Sequence, residues 1–205
     1  MDYAFKLRIA APIKNTTMAP TGSIAKLSGD TEGAQTPYAK YFIRRVRFST
    51  INQAEKIQEF IDQGYHVEPC VYSANTMVVE FPTIEKLMEE VTALGYDADE
   101  IVESQDELSL EDMLSFQEMY QTNYVDNAIS YTANIPENKY SVEEAMQIIA
   151  KFLPNLKGTT IMVDGTREQA PYSRLTKEEF EAISGPITIE DSVDEECATG
   201  ACPIR

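Results

Sequence analysis

The sequence predicts an α/β fold in which amphipathic helices alternate with short strands. Three observations carry this. Apolar residues recur at helical spacing in several stretches, helix-start signatures precede them, and runs rich in β-branched and aromatic residues lie between.

In chain order, Phe5–Ala10 reads as the first strand and Tyr41–Phe48 (YFIRRVRF) as the second. Ile51, Ala54, Ile57, Phe60 and Ile61 then form one helical stripe. Strand Thr76–Phe81 leads to a second stripe of Ile84, Leu87, Met88, Val91 and Leu94. Leu110 to Tyr120 reads as a helix with Ser109 and Asp112 at its start. Ala128–Ala133 follows as a strand. Val142, Ala145, Met146, Ile149, Phe152 and Leu153 form the next helical stripe, opened by a Ser141/Glu144 capping box and closed before Pro154. Strand Thr159–Val163 and a short helix from Thr176 complete the pattern, with Glu179 completing a box and Phe180 and Ile183 facing inward. Residues 1–185 are therefore expected to form the folded unit. Residues 186–205, PITIEDSVDEECATGACPIR, hold too few apolar side chains to build an element and are expected to be a flexible tail.

Charge narrows the function classes. With 17 basic and 34 acidic residues the formal net charge is −17, which repels polyanions and argues against a nucleic acid polymer as partner. Arg44, Arg45 and Arg47 sit inside an apolar strand and are expected to pair with carboxylates. No apolar run approaches the roughly 20 residues of a membrane span, and MDYAFKLRIAAP lacks a secretory layout. The expected location is cytoplasmic, without membrane association.

Two stretches carry candidate chemistry. In Ala19-Pro20-Thr21-Gly22-Ser23-Ile24-Ala25, Pro20 stiffens the entry and Gly22 allows close backbone approach, while Ser23 can cap a helix running to Gly29. The first N–H groups of such a helix lack internal partners and suit an anion. Read from the residues alone, plain helix capping is the commoner meaning. No Walker-type phosphate loop is present.

The second stretch is Cys197-Ala-Thr-Gly-Ala-Cys202, two thiols separated by small residues that leave room for an intramolecular disulfide. A flexible tether from Gly185 to Cys197 averages roughly 20 Å and reaches about 40 Å at most. Asp194, Glu195 and Glu196 disfavour a thiolate, so thiol–disulfide exchange fits better than nucleophilic catalysis. A zinc set of His66, Cys70, Cys197 and Cys202 has poor spacing, so no metal site is expected. His66 and Cys70 read as packing residues of an apolar loop.

These stretches together resemble adenosylcobalamin-dependent (class II) ribonucleotide reductases. TMAPTGSIAKLSGDTEG, PYAKYFIRRVRFS, YVDNAISYTANIP, KGTTIMVDGTREQAPY and GPITIEDSVDEECATGACPIR occur in that family's order, nearest to its monomeric, triphosphate-using branch. The resemblance implies the C-terminal part of a ten-stranded α/β barrel. It implies that Pro20, Thr21, Gly22, Ser23 and Ile24 hold the phosphates of a ribonucleoside triphosphate, with Ser23 standing where Thr is usual. It also implies that Cys197 and Cys202 reduce the active-site disulfide and are re-reduced by thioredoxin.

The family's radical cysteine precedes the phosphate stretch, whereas here about 16 residues precede it and none is Cys. The expectation is therefore a fragment or split subunit, inactive alone, whose companion chain supplies the radical cysteine and most adenosylcobalamin contacts. The alternative is a stand-alone dithiol carrier or phosphate-binding module. Stability in isolation and exchange with thioredoxin in the absence of nucleotide would distinguish it.

Overall fold

The structure, a computed structural model, describes residues 2–21, 25 and 30–183. Gly22, Ser23, Ile24, Cys197 and Cys202 lie outside them, as does the tail as a whole.

The elements run α1 (Asp2–Leu7), β1 (Tyr41–Ser49), α2 (Ala54–Asp62), β2 (His66–Pro69), β3 (Thr76–Ile84), α3 (Lys86–Ala93), α4 (Ala98–Ile101), α5 (Leu110–Asn123), β4 (Thr132–Ile135), α6 (Val142–Phe152), a 3₁₀ turn (Leu153–Asn155), β5 (Thr160–Val163), β6 (Tyr172–Arg174) and α7 (Lys177–Ile183). They form two sheets. One is antiparallel with strand order β2-β3-β1-β6, and the other is a parallel pair, β4-β5.

Side-chain alternation decides what each face of the antiparallel sheet covers. Val46 and Phe48 of β1 and Met77, Val79 and Phe81 of β3 face α2, where Phe48, Ile57, Phe60 and Val79 are buried together. The Phe48–Phe60 and Phe60–Phe81 ring centroids are each 5.2 Å apart, within contact range for aromatic pairs. The opposite face carries Tyr41, Ile43, Arg45 and Arg47, and α7 lays Phe180 against Tyr41 there.

The parallel pair is covered by α5 and α6 around Leu110, Met113, Leu114, Tyr131, Ala133, Ile135 and Phe152. Both helices start with the capping boxes expected from the sequence, Ser109 with Asp112 and Ser141 with Glu144. Residues 15–18 run along the chain that enters β4: Asn127 N–H donates to Thr16 O and Ser130 N–H to Met18 O, each at 3.0 Å. Thr160 N–H bonds Tyr131 O from the β5 side. Residue numbers ascend together in all three segments, so they form a parallel array with helices packed on it, as part of a barrel wall would.

Several local expectations are corrected. Phe5–Ala10 is not a strand. With no strand beside it among the described residues, its backbone closes on itself through Ile9 N–H to Ala4 O, and Phe5 is 86 % exposed. The Ala128–Ala133 strand is assigned later, at Thr132–Ile135, because residues 127 and 130 are held by the 15–18 segment before β5 comes alongside. Ile51 belongs to a turn, where Thr50 N–H bonds Asn75 O, and Leu94 and Ile183 are 73 % and 46 % exposed. On α6, Ala145, Ile148, Ile149 and Phe152 make the packed face, leaving Val142, Met146 and Leu153 uncovered. His66 lies in an edge strand rather than a loop, where its Nδ1 is 3.2 Å from Glu80.

Candidate functional site

Parallel sheets place ligands beyond the carboxyl ends of their strands. At that end of the 15–18 segment the chain enters Pro20 and Thr21. Thr21 adopts φ 55°, a left-handed conformation unusual for a β-branched residue and found where a loop is firmly held. Three bonds hold it. Gly33 N–H donates to Pro20 O at 2.9 Å, the Thr21 hydroxyl donates to the same oxygen at 2.7 Å, and Ala25 N–H donates to Thr21 O at 2.8 Å. A Cβ at Gly33 would stand 3.5 Å from Thr21 Oγ1, in ordinary van der Waals contact with the loop. The bond from Ala25 has helical i→i−4 spacing, and Ala25 itself is helical and buried. Pro20 and Thr21 are thus the described part of the predicted anion site.

The chain leaving this loop is fastened to the parallel array by Gln105, which the sequence reading did not single out. Gln105 is fully buried and uses both ends of its amide. Its Nε2 donates to Thr36 O at 2.9 Å, and its Oε1 accepts from Asn134 N–H at 2.7 Å and from Asn134 Nδ2 at 3.0 Å. Its own N–H donates to Pro37 O. One satisfied side chain therefore fixes residues 36–37 against β4. A polar residue amid a polar stretch (ESQDELS) carries no sequence signal for such a role.

Beyond Gln105 lies an ionic cluster. Asp164, just past β5, accepts from Arg174 Nε at 2.6 Å and from the Tyr38 hydroxyl at 3.2 Å. Arg174 Nη1 also donates to Asp106 at 2.8 Å and to Tyr38 O, and the guanidinium lies 4.2 Å from the centroid of the Tyr38 ring. Burial, reinforced by the Asp164 carboxylate, keeps the Tyr38 phenol protonated well above its ordinary range. Burial likewise pushes Tyr131 up to about 12. One guanidinium holds two carboxylates and the Tyr38 phenol stays neutral, so the cluster is suited to holding the loop rather than moving protons.

The basic cluster behaves partly as expected. Arg45 pairs with Glu80 at 2.7 Å, whereas Arg47 donates to Gln169 O and lies over the Tyr72 ring. Burial alone would raise the Cys70 thiol, but the Tyr72 N–H, the Arg47 guanidinium and the Ser73 N–H bring it below its usual value. Among the described residues no group of His, Cys, Asp and Glu is placed to hold a metal. Nor is any described helix long and apolar enough to cross a membrane.

Comparison with known proteins agrees with this architecture. Residues 13–162 match the family described as ribonucleotide reductase, barrel domain. Across its whole length the chain is 44 % identical to 30 % of a Mycobacterium phage D29 protein provisionally named an adenosylcobalamin-dependent ribonucleoside-triphosphate reductase. It is 32 % identical to 28 % of the adenosylcobalamin-dependent ribonucleoside-triphosphate reductase of Levilactobacillus brevis. The crystal structure of a B12-dependent (class II) ribonucleotide reductase superposes on the whole chain with a TM-score of 0.62 at 28 % identity, over 27 % of its own length. The chain thus spans under a third of the length of these relatives.

Proposed function

The chain belongs to the ribonucleotide reductase family through its barrel domain, and on that premise we propose that it is the C-terminal part of a ribonucleoside-triphosphate reductase. In this reading the loop at Pro20, Thr21, Gly22, Ser23 and Ile24 holds the substrate's phosphates, largely through backbone N–H groups. Cys197 and Cys202 carry reducing equivalents from thioredoxin to the active-site disulfide. The product would be a deoxyribonucleotide for DNA replication in the cytoplasm.

The observation that carries the reading is the neck at Pro20–Thr21. The chain is locked by Gly33 and Ala25 at the carboxyl end of a parallel array. A negative net charge does not oppose it, because a few oriented N–H groups suffice for a phosphate.

The radical cysteine and most adenosylcobalamin contacts belong, in this reading, to a companion chain. Adenosylcobalamin would supply the radical that starts the chemistry. The groove beside His66, about 230 Å³, is far too small for a corrin ring system. Support for a companion also comes from uncovered apolar side chains. Tyr3, Phe5 and Ile13 are 74 %, 86 % and 92 % exposed, and Val142 and Met146 stand clear of α6's packed face.

The deciding experiment is native purification of the chain from its source, with mass spectrometry of whatever travels with it. A larger partner carrying the radical cysteine, active with adenosylcobalamin and thioredoxin once combined, is the expected result. Recovery of a stable, folded chain alone that exchanges thiols with thioredoxin in the absence of nucleotide would overturn it in favour of an independent dithiol module.

A further inference from the structure

Alternation along the parallel pair gives it two unlike faces. Tyr131, just before β4, with Ala133 and Ile135 of β4 and Ile161 and Val163 of β5, packs against α5 and α6. Thr132 and Asn134, with their register partners Thr160 and Met162, therefore take the opposite face, away from those helices. A parallel sheet covered by apolar structure on both faces carries Val, Ile and Leu throughout. Two threonines and an asparagine on this face suit a polar occupant instead.

Asn134 stands one residue before the end of β4, and parallel sheets receive ligands beyond that end. The loop's own chain reaches the same strand. Gly33 N–H bonds Pro20 O, and two residues on, Gln35 Nε2 donates to Thr132 O at 3.2 Å.

The fully buried Gln105 decides how the Asn134 amide is turned. Gln105 Oε1 accepts the Asn134 backbone N–H, so this end of the glutamine amide is its oxygen, and the Asn134 group that meets it is the Nδ2 donor. Asn134 Oδ1 is thereby turned the other way. It accepts from none of the described residues, yet it is not buried. The result is an open acceptor held in one orientation by a satisfied side chain beneath it. Such an acceptor discriminates between ligands, because one that lacks the matching donor leaves it unpaired once water is displaced.

Given the phosphate role assigned above to the loop at Pro20–Thr21, we propose that Asn134 recognises the nucleoside part of the triphosphate. Its Oδ1 accepts a hydrogen bond from a hydroxyl or amino group there, and Gln105 is the positioning residue that holds it in place.

The test uses the full chain, with its companion if one is recovered. It compares the dissociation constant of the tightest-binding of the four common ribonucleoside triphosphates with that of inorganic tripolyphosphate, which carries the phosphates without a nucleoside. Asn134→Ala keeps the backbone N–H that Gln105 holds. It weakens the nucleotide by about three- to tenfold, as loss of one hydrogen bond does, and leaves tripolyphosphate unchanged. Gln105→Leu weakens the nucleotide to a similar degree. Gln105→Glu keeps an acceptor for Asn134 Nδ2 and recovers most of that loss, although Thr36 O loses its amide donor. The Asn134→Ala penalty vanishes with the 2′-deoxy or the 3′-deoxy triphosphate when that hydroxyl is the donor, and persists with both when the donor is on the base. Unchanged nucleotide binding in Asn134→Ala overturns the proposal, and so does an equal loss for tripolyphosphate. If tripolyphosphate binds the unmodified chain in either of those cases, the phosphate reading of the loop survives. Failure of both probes to bind the unmodified chain removes the two together.

Discussion

Arg174 Nε donates to Asp164 Oδ2 at 2.6 Å, and this contact joins the two sheets, since Arg174 ends β6 and Asp164 follows β5. The same guanidinium reaches Asp106 and the carbonyl of Tyr38, so four separate stretches of chain converge on one side chain. Removing it strands partly buried carboxylates, and such losses run to about 3–5 kcal/mol. Arg174→Ala should lower the denaturation midpoint accordingly, while Arg174→Lys, lacking the planar fork, should recover only part. Urea unfolding of the three proteins, with equal slopes, checks this. An Arg174→Ala protein within about 0.5 kcal/mol of the unmodified one would remove the cluster from the stability argument.

Gln105 presents a similar case without charge. Gln105→Leu leaves the N–H of Asn134 and the carbonyl of Thr36 buried without their partner, at about 1–3 kcal/mol each. The expected outcome is a destabilised protein in which residues 34–38 exchange their amide hydrogens faster than the α5–α6 core does. Uniform exchange throughout the chain would show that Gln105 does not fix that segment.

Acid should loosen the contact between α7 and α4 only below about pH 4. The hydrogen bond from Lys177, at 2.5 Å, is the main cause holding the Asp99 carboxyl below its usual range, against a smaller opposing effect of burial. A depressed native value means the contribution is complete above the unfolded value near 4 and is lost as pH falls through the native one. Both groups are a third or more exposed, so the effect is small. Melting temperatures of the unmodified protein and Asp99→Asn should differ at pH 6 and converge below about pH 4. A difference that persists unchanged at pH 3 would rule out this ion pair as its source.

For the tail, Cys197→Ser is expected to abolish multiple turnover driven by thioredoxin in the reconstituted enzyme. A small dithiol that reaches the active site directly should restore it. Thioredoxin-driven turnover that survives the substitution would falsify the shuttle assignment.

The loop makes its own prediction. Thr21→Ala removes the hydroxyl that bonds Pro20 O and keeps the left-handed strain, which is of order 1–3 kcal/mol. Thr21→Gly relieves that strain. In the reconstituted enzyme, Thr21→Ala should raise KM for the triphosphate substrate several-fold, with Thr21→Gly closer to the unmodified protein. Equal KM values in all three would place Thr21 outside the substrate's reach.

Local signals in the sequence determined the helix starts. Ser109 with Asp112, Ser141 with Glu144 and Thr176 with Glu179 are short-range hydrogen-bonding arrangements, and each forms as written. The long strands β1 and β3 were legible as runs rich in β-branched and aromatic residues, although the sequence pattern ends the second at Phe81 and gives its last residue, Ile84, to the following helix. The family was legible because its motifs are spread along the chain in order. Tertiary structure alone decided the rest. Whether Phe5–Ala10 became strand or helix depended on a neighbour that its own residues do not specify. The strands His66–Pro69 and Tyr172–Arg174 exist because β3 and β1 offer edges to pair with, not because three or four residues favour extension. Gln105 and Arg174 acquire their roles by meeting partners that lie 10 to 136 residues away along the chain, and sequence periodicity carries no record of such contacts.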